Sequence, residues 1–308
     1  MAFQDIFFGP DGKLRSGWRF VIFTCLFFIL TIVLSVVGNS ILLALPTPPS
    51  APAMFVLNSL FALVPALLIG WLCGKFLEGL PFRALGAWFT GGWFVHILAG
   101  LLIGAATLGF AIAIASVFGD LDFSYNAGAD QSSITQTMIS SLAVFAVAAA
   151  FEEALFRGYI LQTFARSGLA WLAILLTSVF FGAVHLGNPN AGYISSLNTA
   201  LAGVWFGVAY LKTRDLWFVW ALHLMWNWMQ GAIFGIEVSG LTDIVTSPLL
   251  IETDGGPVWL TGGEYGIEGS IACTIALVIS TIAIHYLPGI KASEEMLALT
   301  SKPTTSES

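Results

Sequence analysis

Long apolar blocks separated by short polar stretches are the dominant pattern of this chain. A transmembrane helix needs about 20 consecutive apolar residues. By that measure the chain holds eight predicted spans, at 18–44, 54–73, 93–118, 134–156, 169–186, 194–211, 216–235 and 269–287. The Pro-rich stretch 46–53 breaks the first from the second, and Asp120 to Ser133 separates the third from the fourth. The longest polar connection, 236–268, is rich in Gly and acidic residues and reads as an ordinary outward loop, with gating or recruitment of a substrate as the alternative. Lys13, Arg15 and Arg19 before the first block suggest a signal peptide, but the block is longer than a signal core of about 7–15 residues, so an uncleaved helix is expected.

Composition agrees. Of 308 residues, 57% are hydrophobic and 9% charged, against about 25% charged in soluble domains. That excludes a soluble globule and a disordered chain, and a net charge of −7 speaks against a nucleic-acid partner. Cys25, Cys73 and Cys273 all fall in apolar blocks and read as packing residues. With the N-terminus in the cytoplasm, eight spans place all 11 basic residues on the cytoplasmic side and none in the outer loops, as the positive-inside rule requires. The predicted fold is therefore all-α: a polytopic membrane protein of about eight transmembrane helices in one bundle. It forms a single domain over 1–287, followed by a polar cytoplasmic tail over 288–308, with both termini cytoplasmic.

Polar side chains inside such spans mark sites, because each costs at least about 2.5–3.5 kcal/mol to insert. Three clusters qualify. In the first, Glu152 and Glu153 are adjacent and point about 100° apart on a helix. Glu153 stands four residues before Arg157, the favourable order for an intrahelical pair, which leaves Glu152 on another face as a workable general base. The second cluster, Phe181-Gly182-Ala183-Val184-His185, closes the fifth span. In the third, His223 and Asn227 share one face of the seventh span. His96 and His285 have no acid or amide near them in sequence and read as structural.

The motifs Glu152-Glu153-x-x-x-Arg157, Phe181-x-x-x-His185 and His223-x-x-x-Asn227 together resemble the CPBP family of intramembrane proteases, also called the CAAX-protease and bacteriocin-processing or Abi family. Its eukaryotic relatives are the type II CAAX prenyl endopeptidases. Arg15-Ser16-Gly17-Trp18-Arg19 is similar to the stretch that opens many bacterial members. The resemblance covers about 152–227, a quarter of the chain, and centres a catalytic core at about 134–235. It implies peptide-bond hydrolysis by a glutamate-activated water, with Glu152 as base assisted by His185, and with His223 and Asn227 holding the oxyanion. Glu153, Arg157 and Phe181 would support them. The implied substrate is a membrane-associated or prenylated, CaaX-like peptide or protein, met in the lipid bilayer. The bacterial-style opening favours a prokaryotic plasma membrane over the endoplasmic reticulum.

No cofactor is needed on this reading. The alternative is a zinc enzyme with Glu152, His185 and His223 as ligands, although the chain has no His-Glu-x-x-His. A non-enzymatic immunity or scaffold protein is the reading from another class. Straight spans present one difficulty. At 1.5 Å per residue His185 would lie about 24 Å from the cytoplasmic start of its span, and His223 only about 10 Å from the start of its own.

Overall fold

A computed structural model describes residues 4–9 and 12–301 of the chain; Lys302 and the rest of the tail lie outside the described residues. In chain order the elements are α1 (Gln4–Phe7), α2 (Ser16–Leu43), α3 (Ala51–Cys73), α4 (Trp93–Gly119), β1 (Leu121–Tyr125), α5 (Gln131–Glu153), α6 (Leu161–Arg166), α7 (Ala170–Val184), α8 (Tyr193–Thr213), α9 (Leu216–Trp228), β2 (Leu250–Asp254), α10 (Val258–Thr261), α11 (Ile271–Tyr286) and α12 (Glu294–Thr300). Three π-helical turns prolong helices: Gly74–Glu78 after α3, Ala154–Ile160 between α5 and α6, and Met229–Ile233 after α9.

Five helical stretches are long and apolar enough to cross a membrane: Ser16–Leu43, Ala51–Glu78, Trp93–Gly119, Gln131–Arg166 and Tyr193–Thr213. The eight predicted spans are thus met in part. The other three, α7, α9 and α11, are helices of 15, 13 and 16 residues. The fourth runs ten residues further than expected, because the π turn carries the helix through Gly158 to Arg166 instead of ending it. The all-α expectation also needs amending. β1 and β2 form an antiparallel pair with Leu121 opposite Asp254 and Tyr125 opposite Leu250, a pairing across more than a hundred residues that no local pattern signals.

Local chemistry sets several starts. Asp130, Asp215 and Ser270 each accept a backbone N–H in the first turn of α5, α9 and α11, the usual N-cap bond. On α2 the buried Arg19, Phe23 and Phe27 form a stripe at i, i+4, i+8, while Ile29, Ile32 and Val36 point outward, as a lipid-facing helix does. Cys73 and Cys273 are buried packing residues, and Cys25 is exposed on α2.

Basic side chains gather at one end of the bundle. Glu78 pairs with Arg19 at 2.6 Å and with Arg166 at 2.7 Å, joining the starts of α2 and the ends of α3 and α6. At the same end α12 packs its buried Met296 inward and ties Glu295 to Arg83 at 2.8 Å. His96 reaches Asp215, an acid 119 residues away, at 2.7 Å; it holds the start of α4 against that of α9.

The depth difficulty is resolved by where α9 begins. Gly100 and Gly104 of α4 lie against the carbonyls of Phe218 and Leu222, so α9 runs alongside α4 with Leu216 opposite about Leu98. That offset of about five residues, or ~8 Å, starts α9 inside the bundle and brings His223 to about the depth of His185.

At the opposite, acidic end, burial beside Glu237 and Asp254 pushes the Glu252 carboxyl up to about 7 from its ordinary 4.5. Its folded pKa exceeds its unfolded one, so its contribution to the β1–β2 pair is fully present below about 4.5 and is lost as pH rises through about 7. Amides of β1 and β2, corrected for intrinsic rates, are expected to exchange faster at pH 8 than at pH 5, and Glu252→Gln to abolish the difference. Persistence of the difference in that variant would assign it to another group.

Candidate active site

The paired glutamates separate as their positions on the helix require. Glu153 turns inward and is buried. Its Oε1 accepts from Arg157 Nη1 at 3.1 Å and from His223 Nδ1 at 2.9 Å. Arg157 is completely buried and donates its Nη2 to the carbonyl of Gly203 at 3.1 Å. Its guanidinium sits 5.0–5.6 Å from the ring centres of Phe156, Phe181 and Phe206, an aromatic cage that suits a weakly hydrated, delocalised cation. Phe181 belongs to this cage and also packs at a tilt against His185, ring centres 4.8 Å apart. The π turn begins at the next residue, Ala154. Such widened turns cluster at functional sites.

Glu152 faces a cavity instead. Its side chain is 23% exposed, and its Oε2 stands 3.8 Å from His223 Nε2 with no hydrogen-bond partner among the described residues. His223 therefore lies between two carboxylates: Nδ1–H is donated to Glu153, and Nε2 is turned to Glu152. His185 caps the C-terminus of α7, and its Nδ1 lies 2.7 Å from the Phe181 carbonyl. A carbonyl only accepts, so Nδ1 carries the proton and Nε2 of the neutral ring keeps its lone pair.

Glu152, Phe181, His185, His223 and Asn227 all line this one cavity, together with the middle of α8, from Asn198 to Phe206, and the first two turns of α11. It encloses about 80 Å³, room for several waters. Asn227 is half-buried one turn beyond His223 and is followed by the π turn at Met229. Glu152, Phe181, His185, His223 and Asn227 are thus gathered from α5, α7 with its C-cap, and α9 around one space, while Glu153 and Arg157 are buried outside its lining.

For the zinc alternative, no group of three His, Cys, Asp or Glu side chains among the described residues is placed to hold a metal ion. Glu152, His185 and His223 share one cavity, and each imidazole donates Nδ1–H to a protein acceptor, the arrangement that leaves Nε2 of both rings free.

Five polar residues of the site were not foreseen: Asn188, Asn198, Thr199, Ser239 and Glu268, of which Glu268 alone is ionisable. Glu268, assigned to an outward loop, lines the same cavity because segment 236–268 folds back over it; Val238, Ser239, Leu241 and Ile244 contribute to the wall. The outward-loop expectation is corrected accordingly. The apolar side chains in that segment bury themselves against α5 and α9. Burial raises the Glu268 carboxyl above its ordinary range, opposed by hydrogen bonds from Ser239 and Trp226 and by the nearby His185. A signal was available in sequence: an acid between Gly266 and Gly269, directly before an apolar block.

Comparison with known proteins gives one match. Residues 134–229 fit the family model described as type II CAAX prenyl endopeptidase, Rce1-like. No curated protein sequence matches the chain closely enough to stand beside it. The matched stretch runs from the start of α5 to the end of α9, and so contains Glu152, Glu153, Arg157, Phe181, His185, His223 and Asn227. Over this segment, about a third of the chain, it is similar to the Rce1-like type II CAAX prenyl endopeptidases.

Proposed function

We propose that the protein is an intramembrane endopeptidase that hydrolyses a peptide bond of a membrane-associated or prenylated, CaaX-like substrate with a water activated by Glu152. The observation that carries this reading is the division of labour between adjacent carboxylates. Glu153 is neutralised by Arg157 in a closed cage, while Glu152, with its side chain partly exposed, lines a cavity that also holds two imidazoles and an amide.

In this scheme Glu152 takes a proton from water, and the hydroxide oxygen bonds to the scissile carbonyl carbon. His185, with its Nε2 lone pair free, orients that water. The negative charge that forms on the carbonyl oxygen is met by Asn227 Nδ2–H and by Nε2–H of the His223 imidazolium, whose Nδ1–H is anchored on Glu153. Donors fixed in a dry cavity stabilise such a charge without reorganising. When the intermediate collapses, the C–N bond breaks and the proton held on Glu152 passes to the leaving nitrogen. The products are a carboxylic acid and an amine, and the acid's proton then passes to the amine to leave a carboxylate and an ammonium group.

The same reading takes the chain as eight spans in a prokaryotic plasma membrane, with the basic end of the bundle and both termini in the cytoplasm. The clustering of Arg19, Arg83, Arg166 and their partners at one end supports that orientation.

Asn227→Ala is expected to lower kcat by about 10²–10³ with KM nearly unchanged, the signature of a lost oxyanion donor. An unaltered kcat would leave Asn227 as a packing residue. The substrate class is tested by offering the purified protein one quenched peptide in farnesylated and unmodified forms and identifying the products by mass. Cleavage of the farnesylated form alone supports CaaX-like processing; cleavage of both points to a broader membrane peptidase, and of neither to a non-enzymatic role.

A further inference from the structure

The cavity is partly open and, at about 80 Å³, small beside pockets of about 300–1,000 Å³ that take small ligands. A peptide that enters it displaces part of its wall. Most of the wall consists of helices packed along their length, but one side is the irregular stretch 236–245. Its backbone is tied to the π turn after α9 where Ile236 N–H donates to the Gln230 carbonyl and Gln230 Nε2 donates to the Glu237 carbonyl, and to itself where Leu241 N–H donates to the Val238 carbonyl. Ser239 and Gly240 both have positive φ, at 53° and 76°. The Ser239 carbonyl accepts from Asn188 Nδ2 at 3.1 Å, and Gly240 N–H donates to the Tyr265 carbonyl at 3.0 Å.

One side-chain link from this stretch to the catalytic helix passes through Glu268, beside the apolar cluster of Val238 and Ile244 with Leu224. Its Oε2 accepts from Ser239 Oγ at 2.6 Å, and its Oε1 accepts from Trp226 Nε1 at 3.1 Å. Trp226 immediately precedes Asn227. The main chain of Glu268 is separately fixed, because its carbonyl accepts from Asn198 Nδ2 of α8 at 2.8 Å. The backbone is thus anchored on one helix, while the carboxylate spans from the roof to another.

We propose that Glu268 is a positioning residue of the active site, whose carboxylate latches segment 236–245 across the cavity and fixes Trp226, and through it the neighbouring Asn227. The inference rests on the proteolytic reading only for its consequence in catalysis. The latch itself is a property of the fold. Roof and oxyanion donor are coupled: a substrate that displaces Ser239 loosens Trp226, and closure over the bound peptide restores both bonds.

The test uses the full chain in detergent with Glu268→Ala, Glu268→Gln and Ser239→Ala, read by amide exchange over 236–245 and by kcat and KM on a quenched farnesylated CaaX peptide across pH. Glutamine can accept from Trp226 through its oxygen and donate to Ser239 through its amide, so it preserves the latch without the charge. Glu268→Ala is expected to speed exchange of the roof about tenfold or more, and to lower kcat about 10²-fold with little change in KM, the scale of a donor misplaced by about 1 Å. Glu268→Gln should restore slow exchange and most of kcat, with an unchanged pH profile. Should the alanine variant fail to fold, Ser239→Ala reports the same latch from its other end.

Unchanged exchange in both Glu268→Ala and Ser239→Ala would overturn the proposal. So would a glutamine variant as impaired as alanine with a displaced pH limb, which would make Glu268 a titrating or cation-binding group. If the wild-type protein cleaves nothing, the proteolytic reading falls while the exchange comparison still decides the latch.

Discussion

Glu152→Gln is expected to remove cleavage while leaving the fold intact. The amide matches the carboxylate in shape but cannot take a proton from water. General-base catalysis contributes about 10²–10⁴ in rate, and the loss should fall entirely on kcat. Stability should hold, because Glu152 carries no close structural pair: its nearest charged neighbour is His223 Nε2 at 3.8 Å, and its Oε2 has no partner among the described residues. The same replacement at Glu153 should behave in the opposite manner. It removes an acceptor shared by Arg157 and His223, so stability should fall. Thermal unfolding alongside single-turnover rates separates the two. Retained turnover in Glu152→Gln would remove it as the base.

Arg157→Ala is expected to give the largest loss of stability of any single replacement at the site. Both partners of the Arg157–Glu153 pair are at most 1% exposed in their side chains. Removing the cation leaves Glu153 charged in a dry interior, a cost of about 3–5 kcal/mol, and empties the cage of Phe156, Phe181 and Phe206. Replacing the two together, as Glu153→Gln with Arg157→Met, should recover much of that loss, since no buried charge is then left unpaired. Unfolding in detergent by denaturant measures each step. Normal stability in Arg157→Ala with no activity would instead place Arg157 in the chemistry.

Features carried by helical periodicity were legible in the sequence. The i, i+4 pairs Glu153–Arg157 and His223–Asn227 follow from spacing alone, and helix ends such as those of α2, α4 and α11 fell within two residues of the apolar boundaries. Long-range contacts were not legible. Nothing near His223 in sequence announces that Glu153, 70 residues earlier, holds its Nδ1, or that Asp215 holds His96. The offset of α9 depends on two glycines of α4 allowing backbones to touch, and a span-by-span ruler assumes a common starting plane. Glu268 was missed for a related reason. Acidic, Gly-rich composition suggests solvent, whereas the apolar residues interspersed in the same segment, Val238, Leu241, Ile244 and Val245, pull it against α5 and α9.

The central claim is that Glu152 activates water without help from a metal. Its most direct test is cleavage of a quenched farnesylated CaaX peptide by the purified protein and by Glu152→Gln, each with and without a strong chelator. The account predicts wild-type cleavage that is unaffected by the chelator and absent in the variant. Cleavage abolished by the chelator and restored by zinc would contradict it.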